Sequence, residues 1–71
     1  MFVQVLVIRH DHGTDIQVFD GEQKAADALI DFCYEWWDVA DGTPPPRDKM
    51  VDEYFKHKYN EDWEILQRSV Q

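Results

Sequence analysis

DGEQKAADALIDFCYEWWDVAD, residues 20–41, is the stretch on which the fold turns. Ala25, Leu29, Phe32, Cys33, Trp36 and Ala40 recur at helical spacing and make one apolar side. Asp27, Asp31, Glu35 and Asp38 stack turn above turn on the opposite side. The spacing predicts one amphipathic helix that begins near Glu22 and ends near Val39 or Ala40. Either Asp20 or Gly21 can cap its start, Asp20 through a side-chain oxygen. Asp41-Gly42 is its stop, with Gly42 just past the cap.

Towards the N-terminus, residues 2–9 (FVQVLVIR) are β-branched and apolar and predict a strand. Val3, Val5 and Val7 point one way, and Phe2, Leu6 and Ile8 the other. A strand apolar on both faces belongs in the middle of its sheet. His10 to Gly13 make a turn in which Gly13 is free to take positive φ, and residues 14–19 (TDIQVF) return as an antiparallel hairpin partner.

Towards the C-terminus, Thr43-Pro44-Pro45-Pro46 is a stiff bridge, without the PxxP spacing of an SH3 or WW ligand. A second helix follows from Pro46 or Arg47 to Tyr59, with Met50, Val51, Tyr54, Phe55 and Tyr59 on one face. Residues 60–62 make a polar turn. Residues 63–70 (WEILQRSV) predict a third strand, with Trp63 and Ile65 on one side and Leu66 and Val70 on the other.

The fold expected is a single domain over residues 1–71, of the α+β class: a compact two-layer ββααβ domain, a three-stranded sheet with two helices on one face. Two helices on one side leave the other side of the central strand bare. An uncovered apolar sheet face is a candidate interface, so a homodimer or a docked partner is expected there.

The chain is short enough to need close packing or association to be stable. Its 44% hydrophobic and 14% aromatic content excludes a disordered chain. Fifteen acids against 7 Lys and Arg leave a net charge of −8. That charge repels nucleic acid and membrane surfaces and attracts basic partners, and it also keeps a small protein soluble. Cys33 is the only cysteine, so an internal disulfide is excluded and a reducing, cytoplasmic setting is expected. Its place on the apolar side predicts a buried, inert thiol. The apolar start lacks the flanks of a signal peptide, and no stretch is long enough to span a membrane.

Chemistry-bearing residues are few. His10, Asp11, His12 and Asp15 form the nearest approach to a metal constellation, with His57 as a possible further ligand. Asp and Gly suit a hairpin turn on backbone grounds alone, so no metal site is assigned, and His10 and His12 remain the only metal candidates. There is no serine–histidine motif and no glycine-rich phosphate loop. Neither catalysis nor a cofactor is expected.

The acidic side of the helix is the stronger signal. Neighbouring carboxylates repel, by about 0.2–0.5 kcal/mol per pair in an isolated helix. Glu35, Asp38 and Asp41 also sit where the helix dipole disfavours them, and Lys24 is the only base among residues 20–41. A merely solvated face is the ordinary explanation. The sharper one is a row of carboxylates about 6 Å apart along the helix, imitating the phosphates of one nucleic-acid strand. Tyr34 and Trp37 flank the row; for Trp37 core packing or covering the linker is the ordinary explanation, and an aromatic anchor for a partner is the other.

The pattern His10-x-His12-Gly13-Thr14-Asp15, then Ala25, Ala28 and Leu29, then Glu35-Trp36-Trp37-Asp38, then Tyr54-Phe55, resembles a group of small uncharacterised bacterial and phage proteins. It covers nearly the whole chain and carries no known chemistry. In type alone, the length and acidity are similar to phage-encoded inhibitors, including anti-CRISPR proteins that mimic DNA. That resemblance implies a non-enzymatic protein in which Asp27, Asp31, Glu35 and Asp38, with Trp37 and Tyr34, engage a basic nucleic-acid-binding groove of a CRISPR effector or restriction component. The alternatives are a small housekeeping module that dimerises through its open sheet face, and a metal-binding protein built on His10 and His12.

Overall fold

Strand β1 (Phe2–His10) lies between β2 (Gly13–Phe19) and β3 (Asp62–Ser69), antiparallel to both. The computed structural model describes residues 1–56, 58 and 60–70, apart from the side chain of Val39. Val5 lies opposite Val18 on one flank and Leu66 on the other, and Val7 lies opposite Ile16 and Glu64. The hairpin turns at Asp11 and His12, and Gly13 takes the positive φ, 130°, that the connection requires. At the other end, the Val70 amide donates to the Met1 carbonyl at 2.9 Å and carries the β1–β3 pairing to the last described residues.

Helices α1 (Glu22–Glu35) and α2 (Arg47–Lys56) both pack on the Leu6 and Ile8 side of the sheet. Leu6, Ile8 and Leu29 are buried together, with Phe19, Ala28, Phe32, Val51, Phe55 and Ile65 around them. A second cluster, Cys33, Met50 and Tyr54, joins the two helices and is covered by Tyr34 and Trp37 among others. Each fully buried Leu or Ile side chain contributes about 1.5–3 kcal/mol. Among the described residues no helix lies over the Val3, Val5 and Val7 side, so the uncovered face is the valine face. Among the described residues no helix is long and apolar enough to cross a membrane.

The first helix is shorter than its sequence predicts. It starts on Gly21, in extended conformation and with no side-chain cap. Asp20 pairs instead with Lys24 at 2.7 Å, and its carboxyl is held below its ordinary pKa by that hydrogen bond and charge. The helix ends at Glu35 rather than near Val39 or Ala40. The Trp36 amide still reaches the Phe32 carbonyl, whereas the Trp37 amide turns to Tyr34, one residue tighter. The reason lies in the next residues. Asp38 Oδ1 accepts the Ala40 amide at 2.9 Å, an alternative to helical bonding that aspartate offers readily. No base in the last turn offsets the acids at the negative end of the dipole. A separate 3-10 turn, Val39–Asp41, follows, and Gly42 (φ 95°) closes that turn rather than the helix.

The second helix starts at Arg47, with the Pro46 carbonyl accepting the Lys49 amide, and stops at Lys56, short of Tyr59. Tyr59, expected on its apolar face, lies outside the described residues.

Buried polar groups are paired. Gln4 Nε2 donates to Gln67 Oε1, and the Tyr54 hydroxyl donates to Glu61 at 2.9 Å. Among the described residues no buried side-chain nitrogen or oxygen lacks a partner. Burial and, more weakly, the charge of Glu61 push the Cys33 thiol from 9.0 up to about 12. Burial, followed by the bond to Glu61, also raises the Tyr54 phenol. Below pH 9 the thiol is protonated folded or unfolded, so its contribution to stability is fully present. From about pH 9 to 12 the unfolded chain releases the proton and the folded one keeps it, so stability falls. Urea midpoints should therefore hold level from neutrality to about pH 9 and then decline, with part of the decline removed in Cys33→Ala; a level midpoint through pH 11 would refute this.

Candidate functional site

Shortening α1 rearranges the acidic side. Asp27, Asp31 and Glu35 remain on the helix, one turn apart. Asp38 does not continue the row, because its carboxylate is engaged in the 3-10 turn. Nor is the row without a base. Arg47, at the start of α2, reaches back to Asp31 at 3.1 Å and to Asp27 at 3.5 Å. The hydrogen bond to Asp31 is the largest cause of a raised Arg47 pKa. Gln23 Nε2 also donates to Asp27 Oδ1. These pairs are exposed, so each adds little to stability. Their effect is to fix α2 against α1 and to neutralise the upper part of the row. Glu35 forms no ion pair among the described residues.

The two aromatic residues expected beside the row are occupied with the linker. The Tyr34 hydroxyl donates to the Pro45 carbonyl at 2.9 Å, and Trp37 Nε1 donates to the Gly42 carbonyl at 3.0 Å. Both also pack on the Cys33–Met50–Tyr54 cluster. Trp37 is thus a half-buried strut rather than a free anchor. Trp36, placed in the core by helical spacing, is 47% exposed. Trp36 keeps the helical phase, through its amide's bond to Phe32, but lies at the rim against His10 and Phe32, whereas Trp37, one residue past the last helical bond, turns to the linker.

A different grouping results. Asp15 from β2 joins Asp31 and Glu35 from α1 around a depression of about 460 Å³, with Phe32 and Trp36 also lining it. Asp15 points to the helix side because its strand neighbour Ile16 is paired with Val7 on the opposite face. Alternation along β2 was the signal for this: Asp15 and Gln17 share a face, and the apolar Ile16 and Val18 share the other.

The histidines lie beside this depression. Asp11, His10, His12, Phe32, Trp36, Tyr54, Lys58 and Glu61 line a smaller concavity of about 130 Å³. His10 Nδ1 accepts the His12 amide at 3.3 Å, so Nε2 carries the proton and donates to Asp15 Oδ2 at 3.1 Å. Both ring nitrogens of His10 are therefore in use. Its ring also packs against Phe32 and Trp36, at 5.5 and 6.4 Å between centroids. His10 and His12 do not present two lone pairs to one ion, as an extended segment would. Among the described residues no three His, Cys, Asp or Glu are grouped to hold a metal ion, and His57 lies outside those residues.

Comparison with known protein families, curated proteins and solved structures finds no match to this chain.

The tryptophans should separate in stability. Trp37→Ala removes a strut and its hydrogen bond and should cost about 2–3 kcal/mol in urea unfolding, whereas Trp36→Ala should cost under about 1 kcal/mol. Equal or reversed costs would overturn the assignment of Trp37 as the strut.

Proposed function

We propose that this protein is a non-enzymatic acidic binding protein whose carboxylates engage a basic surface of a partner protein. The observation that supports it is the depression between β2 and α1, where Asp15, Asp31 and Glu35 surround the exposed Trp36. Glu35, which forms no ion pair among the described residues, stands beside the indole face and suits an arginine side chain. Asp31, shared with Arg47, and Asp15, bonded to His10, add to the negative field. The arginine guanidinium stacks on the ring while its N–H groups donate to the Glu35 carboxylate. Lysine can take the same place as a point charge. Trp36, rather than Trp37, is then the anchor, and Glu35 with Asp31 supplies the adjacent charge.

The net charge of −8 extends this local chemistry to the whole molecule. It speeds encounter with a basic surface and opposes direct binding of nucleic acid. A groove that normally holds a nucleic-acid strand, such as that of a CRISPR effector or a restriction component, is one such surface. That partner class rests on charge alone. An unbroken phosphate-like row of four carboxylates does not form part of the proposal, because Asp38 leaves the helix and Arg47 occupies Asp27 and Asp31.

An arginine-rich peptide titrated against the protein, with tryptophan emission as the readout, tests the site. Affinity should fall about tenfold or more between roughly 50 and 200 mM salt. Asp31→Lys combined with Glu35→Lys should weaken binding at least as much. Binding that survives both changes would sink the proposal. Once a protein partner is captured, competition by duplex DNA for that partner tests the nucleic-acid-mimic version.

A further inference from the structure

The face of the sheet turned away from the helices is apolar, neutral and self-complementary. Val3, Val5 and Val7 run down its middle, flanked by Ile16 and Val18 on one side and Leu66 on the other. Ile16 and Val18 are 65% and 62% exposed, although they lie on an edge strand, where exposed positions ordinarily carry polar or charged side chains. These branched side chains make one continuous patch.

The charges on this face lie at its two ends. At one end Arg9 contacts Asp62 at 2.9 Å and Glu64 at 3.1 Å, an excess of one acid. At the other end Arg68 lies opposite Val3. Among the described strand residues two bases and two acids cancel on this face, so the excess acid of the other described elements lies off it.

The geometry points to a second copy of this chain as the occupant, seated face to face with its strands antiparallel to those of the first. A two-fold axis between the sheets, perpendicular to the strands near Val5 and Leu66, sets Arg68 of each copy over the Asp62 and Glu64 end of the other. Seating the copies parallel would put like ends together, so the charge pattern selects one orientation. The charge that would drive two acidic chains apart is on the far side. Sheets packed face to face lie about 10 Å apart, and the helices add about 10 Å on each side, beyond a Debye length of about 8 Å at physiological salt. The depression holding Asp15, Asp31 and Glu35 is on the helix side, so both surfaces can be occupied together.

The contact area is small. About seven residues of strand at about 3.3 Å, across three strands at about 4.8 Å, cover roughly 330 Å² on each copy. That is well below the roughly 800 Å² per partner of a standard tight complex and places the contact in the size class of weak, transient associations.

Sedimentation over about 5–500 µM should show the average mass climbing from the monomer's 8.5 kDa towards twice that value. Ile16→Glu with Val18→Glu should raise the dissociation constant at least about tenfold without changing the far-ultraviolet circular dichroism. Arg68→Glu, at a fully surface position, should weaken association about fivefold or more, and adding Glu64→Arg should restore it. A clean monomer at about 500 µM overturns the proposal. So does a dimer that survives both β2 substitutions, or a charge-swapped pair that associates no better than Arg68→Glu alone.

Discussion

The packing of Leu29 onto Leu6 and Ile8 is the contact on which the molecule depends. It sets α1 on the middle strand, and the helix then brings Cys33 into position to receive Met50 and Tyr54 from α2. The one-sidedness of the molecule follows from α1 and α2 packing on the same face of the sheet. Everything on the helix side is arranged around a closed core with paired polar groups, and everything on the valine side is left to the solvent or to another surface.

That asymmetry also organises the charge. The acids of α1 stand outward from the helix layer, and Arg47 is spent on two of them. On the valine side the few charges balance. The molecule thus has one strongly negative side and one neutral side, which is a different object from a uniformly acidic protein of the same composition. Solubility accounts for excess acid, but it does not account for where the acid is absent.

The strands, their order and the central place of β1 were legible because alternation and branched residues make a strong signal over residues 2–9. The uncovered face was legible too, though not its identity: Val3–Val5–Val7 and Leu6–Ile8 are equally apolar, and only Leu29 packing decides between them. The site was less legible. Helical phase placed Asp38 and Trp37 on one side, and it failed there because Asp38 and the adverse dipole end the helix; Trp36 keeps its phase but lies at the rim of the core rather than in it. The pairing of Arg47 with Asp31 spans sixteen residues, and local spacing carries no signal for it. The place of Trp37 over the linker and core is consistent with its spacing, and Tyr34 shares that role through its bond to Pro45.

The β1–β3 pairing has a consequence for how this chain is made. Its partners lie about as far apart in sequence as the chain permits, from Phe2 with Ser69 to Arg9 with Asp62. The hairpin and α1 can form as they emerge from a ribosome, but the middle strand waits with one edge unpaired until residues 62–69 follow. Closing so long a loop is slow relative to local contacts. Folding thus waits for residues 62–69, and a chain without them exposes both an open strand edge and the bare valine face at once.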